Sequence, residues 1–409
     1  MAKKKAKTWI KSRHNIIATI AAQFFKPFVR FKYGARLTKV KDNRQYLILF
    51  NHQTDYDQFF VSLCFKKHVY YIASEDLFSN GFISTLLRWA VAPIPIKKQT
   101  TDVRAVMNCI KIAKEGGNIA LSPEGNRTYS GKTEYINPAI CGLIRALKLP
   151  VAFFRIEDGY GVHPRWSNNT RSGKMRAFVS RVMEREEYSN LSDGELLETV
   201  KNELYVNEGR ETGEFKHKRS AEYIERAVYV CPHCGFSTFV SDKNLFSCTK
   251  CGLTVEYTAT KRLKAVKGEL PFEFFTEWYD YQADFMNNTD LTAYCEKPLF
   301  TDVASMFEVV LYKHKKRIIK NALLSLYGNR IEVKGGAGLT REIDLTFEFD
   351  KIRAVSVLGR NKLNVYIDDM VWQFKGNKRF NALKYVHAYY RYNNMKKGEQ
   401  NGKLLFLGL

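Results

Sequence analysis

Four cysteines constrain the fold of the middle of this chain more than any other feature of its sequence. They form two Cys-x-x-Cys pairs, Cys231 with Cys234 and Cys248 with Cys251, and 13 residues separate the pairs. Two such pairs supply four thiolates for a tetrahedral zinc ion, and the glycine after each pair permits the tight turn of a zinc knuckle. Because four protein ligands leave no position open for substrate or water, the pattern predicts a structural zinc ribbon.

The other four cysteines lie far apart in largely apolar stretches of sequence. They are Cys64, Cys109, Cys141 and Cys295. Such positions are typical of buried thiols in a reducing compartment, so we expect no disulfide framework. The cysteine pattern therefore favours a cytoplasmic protein.

Before the cysteine pairs, short apolar β-type runs alternate with helical patterns. The predicted strands are 46–50, 69–73, 93–96, 118–121, 151–154 and 175–182. Between the third and the fourth, residues 101–115 carry apolar side chains at helical spacing and a polar opposite face. This alternation predicts the fold class α/β, with a layered α/β domain over residues 36–226.

From the cysteine pairs onward the chain becomes rich in predicted strands. We assign the zinc ribbon to 227–260 and a linker with a helix to 261–302. Residues 303–395 contain seven β-type runs, separated by turn signals and followed by one helix. The runs are 306–313, 322–326, 330–333, 341–347, 352–357, 362–367 and 370–374. Seven strands and a C-terminal helix resemble the pleckstrin-homology-like fold, and 396–409 is a tail.

The positive charge of the chain is concentrated near its N-terminus. Lys and Arg outnumber Asp and Glu by 65 to 42, and residues 1–50 contain 13 Lys or Arg but one acid, Asp42. Large apolar residues lie among these cations, which predicts a basic amphipathic membrane-interface segment over 1–35 that binds an anionic membrane surface. The longest charge-free run there, 15–25, is shorter than the roughly 20 residues of a membrane span. We therefore expect no transmembrane helix and no secretion; the alternative is a basic helix that packs on its own domain.

A candidate catalytic pair follows the first strand predicted in the α/β domain. The sequence NHQTDYD at residues 51–57 places His52 just beyond the carboxyl end of that strand, where ligands bind in α/β proteins. An imidazole can accept the proton of an attacking alcohol if a carboxylate fixes its tautomer, and Asp57 is five residues away. In the alternative reading, Thr54 and Asp57 only cap a helix and His52 is a surface residue.

A second polar segment, SPEGNRT at residues 122–128, follows the fourth predicted strand. Gly125 frees the backbone, while Glu124 and Arg127 offer a hydrogen-bond acceptor and a cation that matches phosphate oxygens. A plain turn is the alternative reading. Between the two segments, APIPIKK at residues 92–98 ends with paired lysines.

Together these segments resemble the glycerolipid acyltransferase family, which includes the lysophosphatidic acid acyltransferases, over about residues 40–200. Asn51, His52 and Asp57 match its His-x4-Asp block, Pro123-Glu124-Gly125 with Arg127 matches its Pro-Glu-Gly block, and Lys98 falls where the family commonly has Arg. The resemblance implies that an acyl thioester on CoA or acyl carrier protein donates to a lysophospholipid acceptor. His52 would be the base and Asp57 its partner. The implied substrate-binding residues are Asn51, Lys98, Glu124, Gly125 and Arg127.

The sequence thus predicts a membrane-associated O-acyltransferase at the inner face of the cell membrane, with two alternatives. The first is a zinc-ribbon protein that binds nucleic acid, because basic residues lie near the cysteines. Against it, most of the charge lies among large apolar residues near the N-terminus, which favours a membrane over nucleic acid as the anionic partner. The second is a lipid-binding scaffold without catalysis, but the candidate catalytic residues are all present.

Overall fold

The structure, a computed structural model of the 409-residue chain, describes residues 8–78, 81–96, 102–310, 314–335, 343–368 and 370–396. Three regions follow one another: an α/β domain, a cysteine-rich ribbon and a β-rich domain. Within the described residues, no helix is both long and apolar enough to cross a membrane.

The first domain is built on one mostly parallel, seven-stranded sheet. Its elements are α1 Ser12–Tyr33, β1 Ala35–Leu37, β2 Leu47–Phe50, α2 Asp57–Cys64, β3 Val69–Ser74, α3 Phe82–Ala90, β4 Ile94–Ile96, α4 Val103–Lys114, β5 Asn118–Leu121, α5 Ala139–Leu147, β6 Val151–Glu157, α6 Gly159–Val162, β7 Met175–Met183, α7 Arg185–Ser189 and α8 Asp193–Leu204. The strand order is β1-β7-β6-β2-β5-β3-β4, and only the β6–β7 pair is antiparallel. The predicted fold class is confirmed. All six strands predicted in this domain are present, whereas the three-residue β1 was not predicted.

Strand β2 lies in the middle of this sheet and is buried on both faces. Leu47 and Leu49 belong to the core on one side, and Ile48 and Phe50 to the core on the other. Successive residues of a strand point to opposite faces, so a continuous apolar run is what a sheet covered on both sides requires. Because β2, β5 and β6 are parallel, their carboxyl ends meet at one edge, where both polar segments emerge.

The cysteine-rich region folds as a small antiparallel unit. Its elements are β8 Val230–Cys231, β9 Gly235–Phe236, β10 Phe239–Asp242, β11 Leu245–Cys248, β12 Thr254–Tyr257, β13 Leu263–Lys267 and then α9 Phe275–Asn288. Strands β8 and β9 form a hairpin, and β10 to β13 form a four-stranded sheet in sequence order. The helix predicted in the linker corresponds to α9.

The β-rich domain has seven strands and a C-terminal helix. They are β14 Phe300–Val310, β15 His314–Leu326, β16 Arg330–Gly335, β17 Ile343–Glu348, β18 Ala354–Leu358, β19 Lys362–Ile367, β20 Met370–Gly376 and α10 Leu383–Lys396. The order β17-β16-β15-β14-β20-β19-β18 is antiparallel throughout. Strand β14 lies in the middle of this sheet, where it pairs with β15 on one side and with the last strand, β20, on the other. The predicted 322–326 is only the end of the longer β15. The likeness to a pleckstrin-homology-like fold remains a prediction.

The three regions pack against one another and share one hydrophobic core cluster. One core cluster contains residues of the ribbon, α9 and the β-rich domain, and also Tyr129 and Trp166 of the α/β domain. The buried Arg226 joins them, since its guanidinium donates to the carbonyls of Trp166 and Lys378. The β-rich domain is therefore held in a defined position beside the α/β domain.

Candidate active site

The site lies at the carboxyl ends of the central parallel strands of the α/β sheet, between the end of β2 and the beginning of α2. The Nδ1 atom of His52 is 2.7 Å from Oδ2 of Asp57, the first residue of α2. Asp57 is fully buried and also accepts hydrogen bonds from the backbone N–H groups of Gln53 and Thr54 and from the Thr54 hydroxyl. The carboxylate therefore organises the loop and orients the imidazole at the same time.

These contacts fix which imidazole nitrogen carries the proton. Both oxygens of Asp57 already accept hydrogen bonds from N–H or O–H donors, so Nδ1 of His52 donates to this carboxylate. The lone pair of the neutral ring then lies on Nε2, which has no hydrogen-bond partner among the described residues. His52 is partly exposed while Asp57 is not. The pair thus presents one basic nitrogen to solvent or substrate.

Asn51 holds the beginning of this loop against β6. Its side-chain amide donates to the carbonyl of Ile156 and accepts from the N–H of the same residue, at 2.8 and 2.7 Å. The Asn51 amide thus makes the two hydrogen bonds that a further backbone pair between β2 and β6 would make. These bonds fix the direction in which the chain leaves β2. Asn51 is fully buried. It was predicted to bind substrate; in the structure its amide positions His52.

Glu124 connects the second polar segment to the first. Its Oε1 accepts from the backbone N–H of His52 at 2.8 Å, and the N–H of Thr128 donates to the carbonyl of His52. Glu124 is 3% exposed, and burial raises the pKa of its carboxyl to about 8. Between them, Gly125 has φ of +72°, which a residue with a Cβ rarely adopts. Two hydrogen bonds therefore join the second polar segment to the backbone of His52.

Arg127 lies on the same side of the domain as His52. Its Nη2 is 2.7 Å from Oδ1 of Asp55, which belongs to the loop between His52 and Asp57. Arg127 is 6% exposed, and its Nη1 has no hydrogen-bond partner among the residues described. Burial lowers the pKa of Arg127 to about 10. The structure thus brings together six of the predicted site residues, including Arg127, and the seventh, Lys98, lies outside the described residues.

A residue that the sequence did not indicate reaches this site from the β-rich domain. Arg360, in the turn between β18 and β19, contacts the carboxylate of Asp55 and lies 3.0 Å from Nε2 of His163. A sequence of Gly-Arg-Asn between two strands is typical of an ordinary turn, so no local signal could have identified it. Only the packing of the two domains brings Arg360 to Asp55.

The four cysteines of the ribbon are gathered at one point. Their Sγ atoms lie within 4.8 Å of one another, and those of Cys231 and Cys251 are 3.7 Å apart. In a tetrahedral site with Zn–S bonds of about 2.3 Å, neighbouring sulfurs lie about 3.8 Å apart. The cluster is therefore compatible with zinc.

Helices α1 and α3 present large apolar side chains to the surface. The most exposed on α1 are Phe24 and Phe31, at 73% and 84%; the full set on both helices is Ile16, Ile20, Phe24, Phe31, Phe82, Ile83, Leu86 and Trp89. On α1 they form one stripe, at i, i+4, i+8 and i+15, while Val29 and Tyr33 on the opposite side are buried. Helix α1 therefore has two apolar faces, one packed on its domain and one exposed. We name the exposed set the apolar face.

Part of this chain is similar to known proteins. Residues 35–156, which include both polar segments, match a family model described as Acyltransferase. Comparison with curated proteins finds no match. Eleven chains of solved structures match; one is the LPA acyltransferase PlsC from Thermotoga maritima, at 20% identity over 47% of this chain and 78% of that chain, with a TM-score of 0.40. The family match covers less than a third of the chain and lies within the α/β domain.

Proposed function

Starting from an acyltransferase domain at residues 35–156, we propose that the protein transfers a fatty acyl group from an acyl thioester to the free hydroxyl of a lysophospholipid. The donor is acyl-CoA or acyl carrier protein, and the acceptor is lysophosphatidic acid or a related phosphorylated lysolipid. The observation that carries the proposal is the 2.7 Å contact between His52 and a fully buried Asp57, which leaves Nε2 as a base.

The reaction needs one base that later acts as an acid. Nε2 of His52 accepts the proton of the acceptor hydroxyl while its oxygen attacks the thioester carbonyl carbon. The C–S bond then breaks, and the imidazolium returns the proton to the leaving thiolate. Asp57 stabilises the imidazolium through Nδ1 and keeps the ring in position.

The acceptor's phosphate suits the cation beside this base. Arg127 lies in the segment whose Thr128 N–H donates to the His52 carbonyl, so a phosphate bound by Arg127 would place the glycerol hydroxyl near Nε2. One guanidinium group can bind two phosphate oxygens at once, and this bidentate contact fixes the orientation of the phosphate as well as strengthening its binding. Arg127 supports recognition of a phosphorylated acceptor.

We propose that the apolar face docks on an anionic membrane. Lysophospholipids reside in bilayers, so an enzyme that binds the membrane surface has direct access to its acceptor. The exposed side chains of α1 are flanked by Lys26 and Arg30, both exposed, and such a combination of apolar residues and cations favours an anionic interface. We place the protein in the cytoplasm, at the inner face of the cell membrane.

The cysteine cluster suits a structural zinc ion. Four thiolates would fill the coordination sphere, so the ion would take no part in acyl transfer. Zinc would instead hold the β8–β9 hairpin to the β11–β12 connection, because each carries two of the cysteines. Elemental analysis of the purified protein should give about one zinc per chain.

The proposed reaction is tested by replacing the base. His52→Ala should abolish transfer of labelled oleate from oleoyl-CoA to lysophosphatidic acid, because the variant lacks the imidazole that is proposed to take the hydroxyl proton. His217→Ala, which alters a histidine in the segment before the ribbon, should retain activity and serves as the matched control. Full activity of folded His52→Ala would refute the mechanism.

A further inference from the structure

The turn between β18 and β19 is fastened to the loops of the acyltransferase domain. Arg165, which is 2% exposed, donates to the carbonyls of Val357 and Gly359 at 3.0 and 3.1 Å, on either side of Leu358. The same guanidinium donates to the carbonyl of Arg127 at 2.8 Å. One buried arginine thus holds the turn and the proposed phosphate-binding segment together, which gives the turn a defined position in the site.

Asp55 lies between two guanidinium groups that come from different domains. One of its oxygens is 2.7 Å from Arg127 and the other contacts Arg360. Burial by itself would raise the pKa of Asp55, but Arg127 and Arg360 outweigh it and keep the pKa below its ordinary value. The carboxylate is therefore ionised, and it holds both arginines side by side.

The cluster has more positive charge than its own carboxylate can balance. Among the described residues, Arg127 and Arg360 both form ion pairs with one carboxylate, that of Asp55, and Arg165 adds a third positive charge beside Arg127. In addition, Nη1 of Arg127 and Nε of Arg360 are buried donors that have no hydrogen-bond partner within the part of the chain that the structure describes. Buried polar groups are almost always satisfied, and unpaired buried cations are costly. Two unused N–H groups on adjacent guanidiniums match the oxygens of one phosphate.

We propose that Arg360 is a substrate-binding residue, which together with Arg127 forms a two-arginine site for the phosphate of the acceptor lipid. The inference rests on the proposed function, since it concerns the acceptor of the same reaction. Asp55 orients the two guanidiniums, and the phosphate takes the donors that Asp55 leaves unused. The β-rich domain would then contribute directly to acceptor recognition, beyond any role as a platform.

The test compares two acceptors that differ only in the phosphate. Oleoyl lysophosphatidic acid and monooleoylglycerol, both dispersed in detergent, are used with wild type and Arg360→Gln. For the phosphorylated acceptor we expect KM to rise about tenfold to a hundredfold, the usual cost of losing a charged hydrogen bond, with little change in kcat. For monooleoylglycerol we expect unchanged kcat/KM. Arg353→Gln removes the same charge from an exposed residue at the other end of the β18–β19 hairpin, and both acceptors should then behave as with wild type.

A role limited to docking predicts a different result. If Arg360 only fixed the turn, Arg360→Gln would lower activity on both acceptors by the same factor, and that outcome would overturn the proposal. Unchanged kinetics on lysophosphatidic acid would overturn it too. If thermal melting finds Arg360→Gln unfolded, Arg360→Lys, which retains the charge, is measured in its place. We then expect a smaller rise in KM on the phosphorylated acceptor alone, and an equal change on both acceptors would count against the proposal.

Failure of the proposed function can be told apart from failure of this inference. Wild type that acylates neither acceptor would contradict the reaction itself. Binding is then measured by isothermal titration calorimetry with oleoyl lysophosphatidic acid and with monooleoylglycerol as probes. We expect wild type to bind the phosphorylated probe more tightly than Arg360→Gln does, with no difference for monooleoylglycerol. Equal dissociation constants of wild type and variant for the phosphorylated probe would refute the two-arginine site.

Discussion

The two parts of the candidate site are built in opposite ways. The base and its carboxylate, His52 and Asp57, are five residues apart and lie in one loop that leads into a helix. The guanidinium of Arg360 and the carboxylate of Asp55 are 305 residues apart and come from two domains. A local pair forms whenever its loop folds, while a pair between domains forms only when the domains dock. We therefore expect damage to the first part to stop chemistry and damage to the second to weaken acceptor binding.

After the loss expected for His52→Ala, the largest effect is expected from Asp57→Asn, which alters the carboxylate of the local part. An amide can donate to Nδ1, which would move the ring proton to Nε2 and remove the basic lone pair. We expect kcat to fall about a thousandfold to ten-thousandfold, which is the loss seen when the same carboxylate-to-amide change puts a catalytic histidine in the wrong tautomer. Steady-state kinetics on both acceptors measure this, and the loss should be equal for the two. A loss confined to the phosphorylated acceptor would contradict the separation of roles.

Glu124 joins the two parts, and its titration should appear in the pH dependence of stability. Its folded pKa of about 8 lies above the ordinary value of 4.5, so its contribution is fully present below pH 4.5 and is lost as pH rises through 8. Glu124→Gln cannot titrate. Relative to wild type, its unfolding free energy should therefore rise between pH 4 and pH 7, by at most about 3 kcal/mol.

Urea unfolding at several pH values measures the effect of Glu124→Gln. The exposed Glu269→Gln is the control, and its difference from wild type should stay constant with pH. A constant difference for Glu124→Gln as well would mean that folding does not change the pKa of this carboxyl, and would contradict the value of about 8.

A double-mutant cycle tests whether Arg127 and Arg360 act together in the proposed phosphate site. Arg127→Gln alone should raise KM for lysophosphatidic acid about tenfold to a hundredfold, like Arg360→Gln. Because both arginines contact Asp55 and are proposed to bind one phosphate, the double variant should lose less than the product of the single losses. Strict multiplication of the two factors would indicate that the arginines act independently.

The smallest effect concerns the apolar face, which contains none of the candidate site residues. Phe31→Ser removes the most exposed of these side chains. We expect the partition coefficient onto vesicles with anionic lipid to fall about tenfold, because a phenylalanine side chain contributes roughly 1.5 to 3 kcal/mol when it leaves water. Turnover on detergent-dispersed acceptor should not change. Vesicle sedimentation measures the partition coefficient, and the exposed Leu345→Ser of the β-rich domain is the control.

Much of the fold was predictable because its signals are local. The apolar runs of β2 to β7 predict buried strands, and the seven β-type runs predict the β-rich domain. Glu124 was predicted to bind substrate, but its observed contact is with the backbone of His52. That contact depends on two strand ends meeting at one edge of the sheet. Sequence spacing does not reveal which way a side chain turns at such a junction.

By itself, the sequence determined those features whose partners are close along the chain. The cysteine pairs predict their own clustering, and the spacing of His52 and Asp57 allows them to meet within one loop. Only the tertiary structure decided that Arg360 lies beside Arg127, and that one face of α1 is packed while the other is exposed. The physical reason is that such contacts depend on how whole surfaces pack. Packing of that kind sums many weak contributions from distant residues, and no short segment of the chain contains it.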